Sequence, residues 1–329
     1  MPKILYAASN NQNSKLQLAR FIEATKNKNY TIKVAAYKDF CPKINIDWTL
    51  DALASIASKT EIHTNNQNYS YITYIDQIKY FNPDLVISDL EFFTSHAANL
   101  LNIKLWQCSS SIINFAFTKK QKYNMSIFKQ YSYVFNKNPK HVQRLVNILD
   151  NSNRKLVYSH FGDLESPPEI QEGFEWIRPY HILGKKSVTC QHHVMVASLK
   201  NNKYILKKLI NSDDVVYFSE NNEENYPNVT LKNIYDEQEY FCNLKNCDIF
   251  ICEGQASFLS DAFYNGKKPF IFTDYNDADC LINSAISEKL DFSNDFSNSS
   301  SSNYYEPKLG NYLNFLDQEI DIYFDNKKD

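Results

Sequence analysis

Glycine is scarce in this chain: its 329 residues include six, and none precedes Gly162. A G-x-G-x-x-G dinucleotide turn and a G-x-x-x-x-G-K-[ST] phosphate loop both need glycine where backbone closes on phosphate, and neither pattern occurs. Nicotinamide and flavin enzymes of the standard type, P-loop NTPases and protein kinases are thereby excluded. The seven cysteines contain no C-x-x-C pair, and no tetrahedral ligand spacing appears, so no metal site is expected. Their odd count, with several in apolar runs such as Asp248–Cys252, fits reduced buried thiols in a cytoplasmic setting. No apolar run approaches the ~20 residues of a membrane span, and Met1-Pro2-Lys3-Ile4-Leu5-Tyr6 opens a strand pattern, not a signal peptide. Neither charge dominates. The 35 Lys and Arg against 38 Asp and Glu leave a net charge of −3, which excludes a surface that is basic throughout but permits a local basic face.

Short apolar runs alternate with helical spacing through most of the chain. Lys3–Ala8, Tyr30–Ala36, Asp84–Ser88 and Lys104–Cys108 read as strands, with helices over Lys15–Thr25, Leu50–Ala57, Tyr71–Tyr80 and His96–Leu101 between them. A second series follows: strands His192–Ala197, Asp214–Ser219, Val229–Ile234, Asp248–Cys252 and Pro269–Thr273, with helices Lys203–Ile210, Glu237–Leu244, Ala256–Tyr264 and Asp279–Leu290. Such alternation predicts α/β architecture with two parallel, Rossmann-like sheets facing across a cleft. The units are drawn at 1–185 and 186–329, joined through the region from Arg154 to Gly184. Ser293–Asn303 is a low-complexity loop, and Leu309–Phe324 reads as a terminal helix assigned to the second unit.

Ligands of open parallel sheets bind beyond the carboxyl ends of the strands. Three loops qualify: after Ala8, after Ser88 and after Cys252. In the third, Glu253-Gly254-Gln255 is a glycine turn and Ala256-Ser257 opens a helix whose free N–H groups suit a diphosphate. The same pattern also describes an ordinary strand–helix turn. Asp261 lies on that helix, and a carboxylate there accepts well from sugar hydroxyls. In the second loop, Asp89 and Glu91 either face the cleft or cap the following helix. Asp277-Ala278-Asp279 is a D-x-D that reads more readily as chance than as a cation site. His160, His192 and His193 sit on or beside strands, where a structural role is the default. The basic runs Lys119–Tyr123 and Lys137–Lys140 read as solvated faces or as contacts for an acidic acceptor.

The segment Glu253-Gly254-Gln255-Ala256-Ser257-Phe258-Leu259-Ser260-Asp261-Ala262, with Gly266-Lys267-Lys268-Pro269 and Asp279-Cys280-Leu281-Ile282-Asn283-Ser284, resembles the donor-site region of GT-B glycosyltransferases. It is most similar to glycosyltransferase family 28 and its archaeal-type relatives. Asn82-Pro83-Asp84-Leu85-Val86-Ile87-Ser88-Asp89-Leu90-Glu91 resembles a second stretch of the same enzymes. The resemblance implies a hexosyltransferase with a UDP-linked donor, acting by inversion, without metal or other cofactor. It further implies a donor site formed by Glu253, Gly254, Gln255, Ala256, Ser257, Asp261, Asp279 and Asn283. Gly254 is expected to admit the diphosphate, so that a side chain there blocks binding without harming the fold. Gln255 stands in place of a second glycine, Asp261 in place of Glu, and Cys280 in place of Gln. Asn10, Asn11 and Asn13 form the acceptor-side loop, with Asn11 at the family's histidine position; an amide takes up no proton near neutral pH. Asp89 is therefore the expected base, with Glu91 in reserve. The acceptor stays open among a lipid-linked sugar, a polysaccharide and a modified DNA base; a lipid-linked one implies peripheral contact with the inner membrane face. The alternatives are a nucleotide-sugar hydrolase or epimerase and a non-catalytic nucleotide-sugar-binding protein.

Overall fold

A computed structural model describes residues 1–37, 44–51, 53, 65–123, 128–184, 186–187, 189, 192–199, 203–209, 212, 214–220, 226, 228–274, 276–290, 294–295 and 313–327. The first sheet holds β1 (Lys3–Ala7), β2 (Thr31–Ala36), β3 (Trp48–Thr49), β4 (Leu85–Ser88), β5 (Leu105–Ser109), β6 (Arg154–Tyr158) and β7 (Glu175–Ile177), in the order 3-2-1-4-5-6-7. The second holds β8 (Val194–Ala197), β9 (Val215–Ser219), β10 (Val229–Asn233), β11 (Ile249–Glu253), β12 (Phe270–Phe272) and β13 (Asn294–Asp295), in the order 10-9-8-11-12-13. All these pairings are parallel. Central strands such as β4, β5, β8 and β9 are buried along their whole length, which is why their sequences are mostly apolar runs rather than alternations, with Gln107 in β5 the interior exception. The edge strand β10 is only partly covered.

The helices that shape the cleft are α1 (Gln12–Thr25), α2 (Phe92–Leu100), α3 (Pro139–Asp150), α4 (Glu237–Asn246), α5 (Ala256–Tyr264), α6 (Ala278–Lys289) and α7 (Leu316–Asp325). α1 starts three residues earlier than its periodicity predicts because Asn11 caps it, accepting from Ser14 N–H at 2.8 Å. α2 likewise starts at Phe92 because Glu91 caps it. Between β5 and β6, the described residues 110–123 and 128–150 form a series of short helices and α3 that the strand–helix reading did not assign. Most of the expected helix Leu50–Ala57, most of Ser293–Asn303, Ile210 and residues 309–312 lie outside the described residues. α7 crosses back to the first unit: Lys28 bonds Asp321 at 2.6 Å, Arg154 bonds Glu319 at 2.9 Å, and Tyr323 packs edge-on against Trp106.

The two units meet along a polar seam. Arg20 on α1, 7% exposed, grips Asp261 on α5 through two bonds of 2.9 Å. Its guanidinium also reaches Glu237 at 3.2 Å and the Tyr180 carbonyl at 3.1 Å. Removing one partner of a buried pair strands the other charge and costs about 3–5 kcal/mol, whereas replacing both by apolar groups is close to neutral. Arg20→Leu and Asp261→Leu are each expected to lose about that much in urea unfolding, and Arg20→Met with Asp261→Leu to regain most of it. Losses below about 1 kcal/mol in both single variants refute a buried clasp.

Candidate active-site cleft

The strand orders fix where a ligand can enter. Each sheet reverses direction once: between β1 and β4 in the first, and between β8 and β11 in the second. Chains leaving adjacent strands at such a point turn to opposite faces and leave a crevice. A cavity of about 320 Å³ opens where the two crevices face each other. Asn10, Asn11, Asn13 and Lys15 line it from the loop after β1, Leu199 after β8, Gln255 after β11, and Asp277 and Asp279 after β12.

Its walls are cross-linked. Asn13 Nδ2 donates to Gln255 Oε1, and Ser257 Oγ donates to Asn13 Oδ1 at 2.9 Å, so one carboxamide of the first unit sits on the start of α5. Gln255 in turn donates to Asp277 Oδ2 and to Cys280 Sγ, both at 3.0 Å. No side chain caps α5. Opposite, Asp279 accepts from Ser111 Oγ and Asn114 Nδ2 of the first unit. Burial and the neighbouring Asp277 raise its pKa; the two hydrogen bonds only partly oppose this. Asp277 caps α6 through the Asp279 and Cys280 amides, so the two acids of the D-x-D have separate partners. Among the described residues no group of three or more His, Cys, Asp or Glu could hold a metal ion.

No protein-family model matches the sequence, and no curated protein does. Solved structures do. Glycosyltransferase SsfS6 from Streptomyces sp. SF2575 superposes with a TM-score of 0.55 at 12% identity, covering 88% of this chain and 86% of its own. Glycosyltransferase SnogD from Streptomyces nogalater gives 0.51 at 11%, covering 89% and 86%. The UDP-GlcNAc 2-epimerase from Methanocaldococcus jannaschii gives 0.50 at 10%, covering 98% and 100%. The fold is GT-B-like. At these identities the likeness concerns the fold alone.

The GT-B cleft holds only part of the residue set read from the sequence. Asn10, Asn11, Asn13, Gln255 and Asp279 line it. Asp261 does not: it is fully buried against Arg20, so its carboxylate is occupied by the chain's own guanidinium and not open to a ribose. Glu253 stabilises the neighbouring turn, accepting from Ser198 Oγ at 2.6 Å and Leu199 N–H at 3.1 Å. Glu91 directs both carboxylate oxygens at its own helix, towards Phe93 N–H at 3.0 Å and Thr94 N–H at 2.7 Å. Asn283 is fully buried on α6 with neither end of its amide hydrogen-bonded. Ala256 is buried in the first turn of α5. Of the histidines, His160 is buried at the seam, its Nδ1 3.2 Å from Ser260 Oγ, and burial lowers its pKa to about 3. His192 and His193 lie at the surface beside Asp214 and Asp248.

Asp89 lies just behind the cleft. It is 1% exposed and accepts from Ser14 Oγ, which itself lies 2.8 Å from Ser9 Oγ. Burial raises its pKa to about 7, with Ser109 opposing and Asp279 adding to the rise. Next in the chain, Leu90 adopts a left-handed backbone (φ +53°) secured by its N–H on Gln107 Oε1 at 3.1 Å. That conformation costs an L-residue about 1–2 kcal/mol. The kink divides the roles of the two acids, Asp89 bonded to α1 and Glu91 capping α2. Spacing alone carried no sign of Ser14, Ser111 and Asn114, which hold the two cleft carboxyls.

Two outcomes follow from this geometry. A carboxyl whose pKa is higher folded than unfolded favours the folded state most below about pH 4, and that contribution is lost as pH rises through 7. Asp89→Asn, which imitates the neutral acid, should match the parent in thermal melts at pH 4.5 and exceed it at pH 8, by up to about 4 kcal/mol for three pKa units. Identical pH dependence in both proteins refutes the raised pKa. At Gly254 a Cβ would lie 2.3 Å from Ser284 Oγ and 2.7 Å from the Cys280 carbonyl on α6. The expectation of a harmless side chain there is thus corrected: glycine permits helix packing, and Gly254→Val should cost about 1–3 kcal/mol or more in denaturant unfolding.

Proposed function

We propose that the chain binds a pyrimidine nucleoside-diphosphate sugar in this cleft and transfers the sugar to a hydroxyl acceptor held by the first unit. The observation that carries this reading is the cavity at the meeting of two switch points, walled by carboxamides and carboxyls that suit sugar hydroxyls. The uncapped start of α5 at Ala256-Ser257 offers amides to the diphosphate, as a helix N-terminus favours anions. Asn13 rests there, so donor entry displaces its carboxamide. A structure of SsfS6 carries thymidine diphosphate, which supports a nucleotide of this class.

In the transfer, an acceptor oxygen attacks the anomeric carbon while the bond to the diphosphate breaks, and the acceptor's proton must go to a base. Asp89 is that base in this reading. Its pKa near 7 leaves it substantially unprotonated at working pH and strong enough to accept. Being buried, it takes the proton through the Ser14 hydroxyl that bonds to it. Glu91 is set aside because its oxygens hold helix amides, and Asp261 because Arg20 holds it. Asp279 is the carboxyl placed to accept from donor hydroxyls; Asn283 stays a donor-side candidate through its unbonded amide. The second reading, a nucleotide-sugar epimerase or hydrolase, is favoured by the same pair of high-pKa carboxyls, which can share the proton movements of an elimination.

Calorimetry with UDP- and dTDP-sugars tests donor binding. Asp89→Asn should bind donor like the parent yet turn over about 100- to 10,000-fold more slowly. Donor consumed without any acceptor selects the epimerase or hydrolase reading. Absence of binding by every nucleotide sugar refutes both.

A further inference from the structure

Acidic residues are missing from one long stretch. Residues 92–149 contain no Asp or Glu, although the whole chain holds 38, and they carry seven Lys and one Arg. Lys104 lies at the start of β5, and the other seven cations lie between Lys119 and Arg144. Lys122 is turned inward, its Nζ 5.6 Å from the Tyr131 ring centroid and 5.4 Å from that of Phe135. The remaining six, Lys119, Lys120, Lys129, Lys137, Lys140 and Arg144, are exposed and have no ion-pair partner among the described residues.

Tyr133 is 71% exposed on the helix Phe128–Phe135. Lys129 precedes it by four residues and Lys137 follows it by four, a spacing that places Lys129 and Tyr133 on one helix face. The buried Tyr131 lies on the opposite side, stacked on Phe135. A tyrosine flanked by lysines is the arrangement found where a protein meets the headgroup layer of a bilayer: the ring lies among headgroups and the ammonium groups meet phosphates.

We propose that the outer face formed by residues 119–122 and 129–144 docks on the surface of an anionic lipid bilayer. The partner is a bilayer and not a nucleic acid on two grounds. Five of the six exposed cations are lysines, point charges without the bidentate fork that reads nucleic acid. The charge also leads into no basic groove, since the adjoining cavity is walled by carboxamides and by Asp277 and Asp279, with Lys15 its one cation among the described residues and that paired with Glu220. The acids bordering the face are Asp150 at the end of α3 and, near Lys119–Lys122, Glu169, whose carbonyl accepts from Gln121 at 2.8 Å. The strongest uncompensated charge is therefore Lys129 to Arg144. The segment leaves β5 at the cavity wall, where Ser111 and Asn114 hold Asp279, so a docked face sets the mouth of the cleft beside the membrane. This rests on charge distribution, and its test needs no nucleotide.

The experiment is co-sedimentation of the full chain with phosphatidylcholine vesicles, with and without phosphatidylserine, at low and high salt. Binding to the anionic vesicles alone, reversed by salt, is expected. Each lysine near an anionic surface contributes roughly fivefold in affinity, so Lys129→Gln, Lys137→Gln and Lys140→Gln together should weaken binding about 100-fold. The same three exchanges at Lys26, Lys79 and Lys289, also exposed, should change it little; these sites touch no core, and a thermal melt checks each variant. Equal binding to neutral vesicles, no binding to anionic ones, or equal loss in both triple variants overturns the proposal. Competition by a DNA or RNA oligonucleotide for the Lys129–Lys140 face at lower concentration than the lipid overturns it too.

Discussion

The buried bond between Arg20 and Asp261 sets the geometry on which the cleft depends. Both helices that carry it begin at the cavity: α1 just after Asn11, and α5 just after Gln255. Asn13 and Arg20 are seven residues apart on α1, about 10 Å along its axis, and Ser257 and Asp261 are four apart on α5, about 6 Å. A bidentate guanidinium–carboxylate contact fixes distance and rotation together. Once it forms, the two helix starts can approach only in a narrow range of registers, and the Asn13 bonds to Gln255 and Ser257 fall within it. Salt screens such a pair little, because water has been excluded from it. The seam thus joins the two units through a buried ion pair, with the polar contacts of the cavity at its open end.

The same exclusion of water governs the cavity's charge. Asp89 is buried beside it and Asp279 is half-buried on its wall, and both are biased toward the neutral acid. Lys15 on the wall lies 3.4 Å from Glu220, which partly offsets its charge. Asp277 apart, what faces a ligand is therefore largely dipolar, made of carboxamides, hydroxyls and helix amides. Dipoles fixed by the fold stabilise developing charge without reorganising, which ionic groups on flexible stems do less well. In the proposed transfer, the leaving diphosphate is therefore met by oriented N–H groups more than by cations.

Much of the fold was legible because central parallel strands are mostly apolar, and the runs around Ile4, Val86, Trp106, Val196, Tyr217 and Ile251 match strands of the structure. Boundaries shifted where side chains capped helices, as Asn11 and Glu91 do, since one residue type serves equally as a cap and as a loop acid or amide. The chain from 110 to 150 was opaque because its helices are short and pack by aromatic contacts such as Tyr131 on Phe135, which leave no long period. The loops around the site could be placed, because a site beyond strand ends follows from topology. Individual roles could not. Asp261 reads as a sugar ligand until Arg20, more than two hundred residues earlier, is brought against it; Gly254 reads as a phosphate contact until α6 closes over it.

The glycine shortage bears on which half of the cleft can hold an anion. A backbone cradle needs residues that turn tightly with their N–H groups free, and the loop after β1 lacks the glycines that make this easy. Asn11 instead caps α1 with its own side chain, and Ser14 Oγ, near both Asn11 and Asp89, ties that helix start to the loop after β4. The first switch point is therefore closed by side chains. At the second, Gly254 lets α6 approach the turn so closely that Gln255 reaches Asp277 and Cys280 while α5 stays uncapped. Two sheets of similar order thus end in different surfaces, one of hydroxyls and amides backed by a carboxyl, the other an uncapped helix start covered by Asn13. It is on that asymmetry, and not on the fold by itself, that the proposed function rests in giving the anionic end of a ligand to the second unit and the proton chemistry to the first.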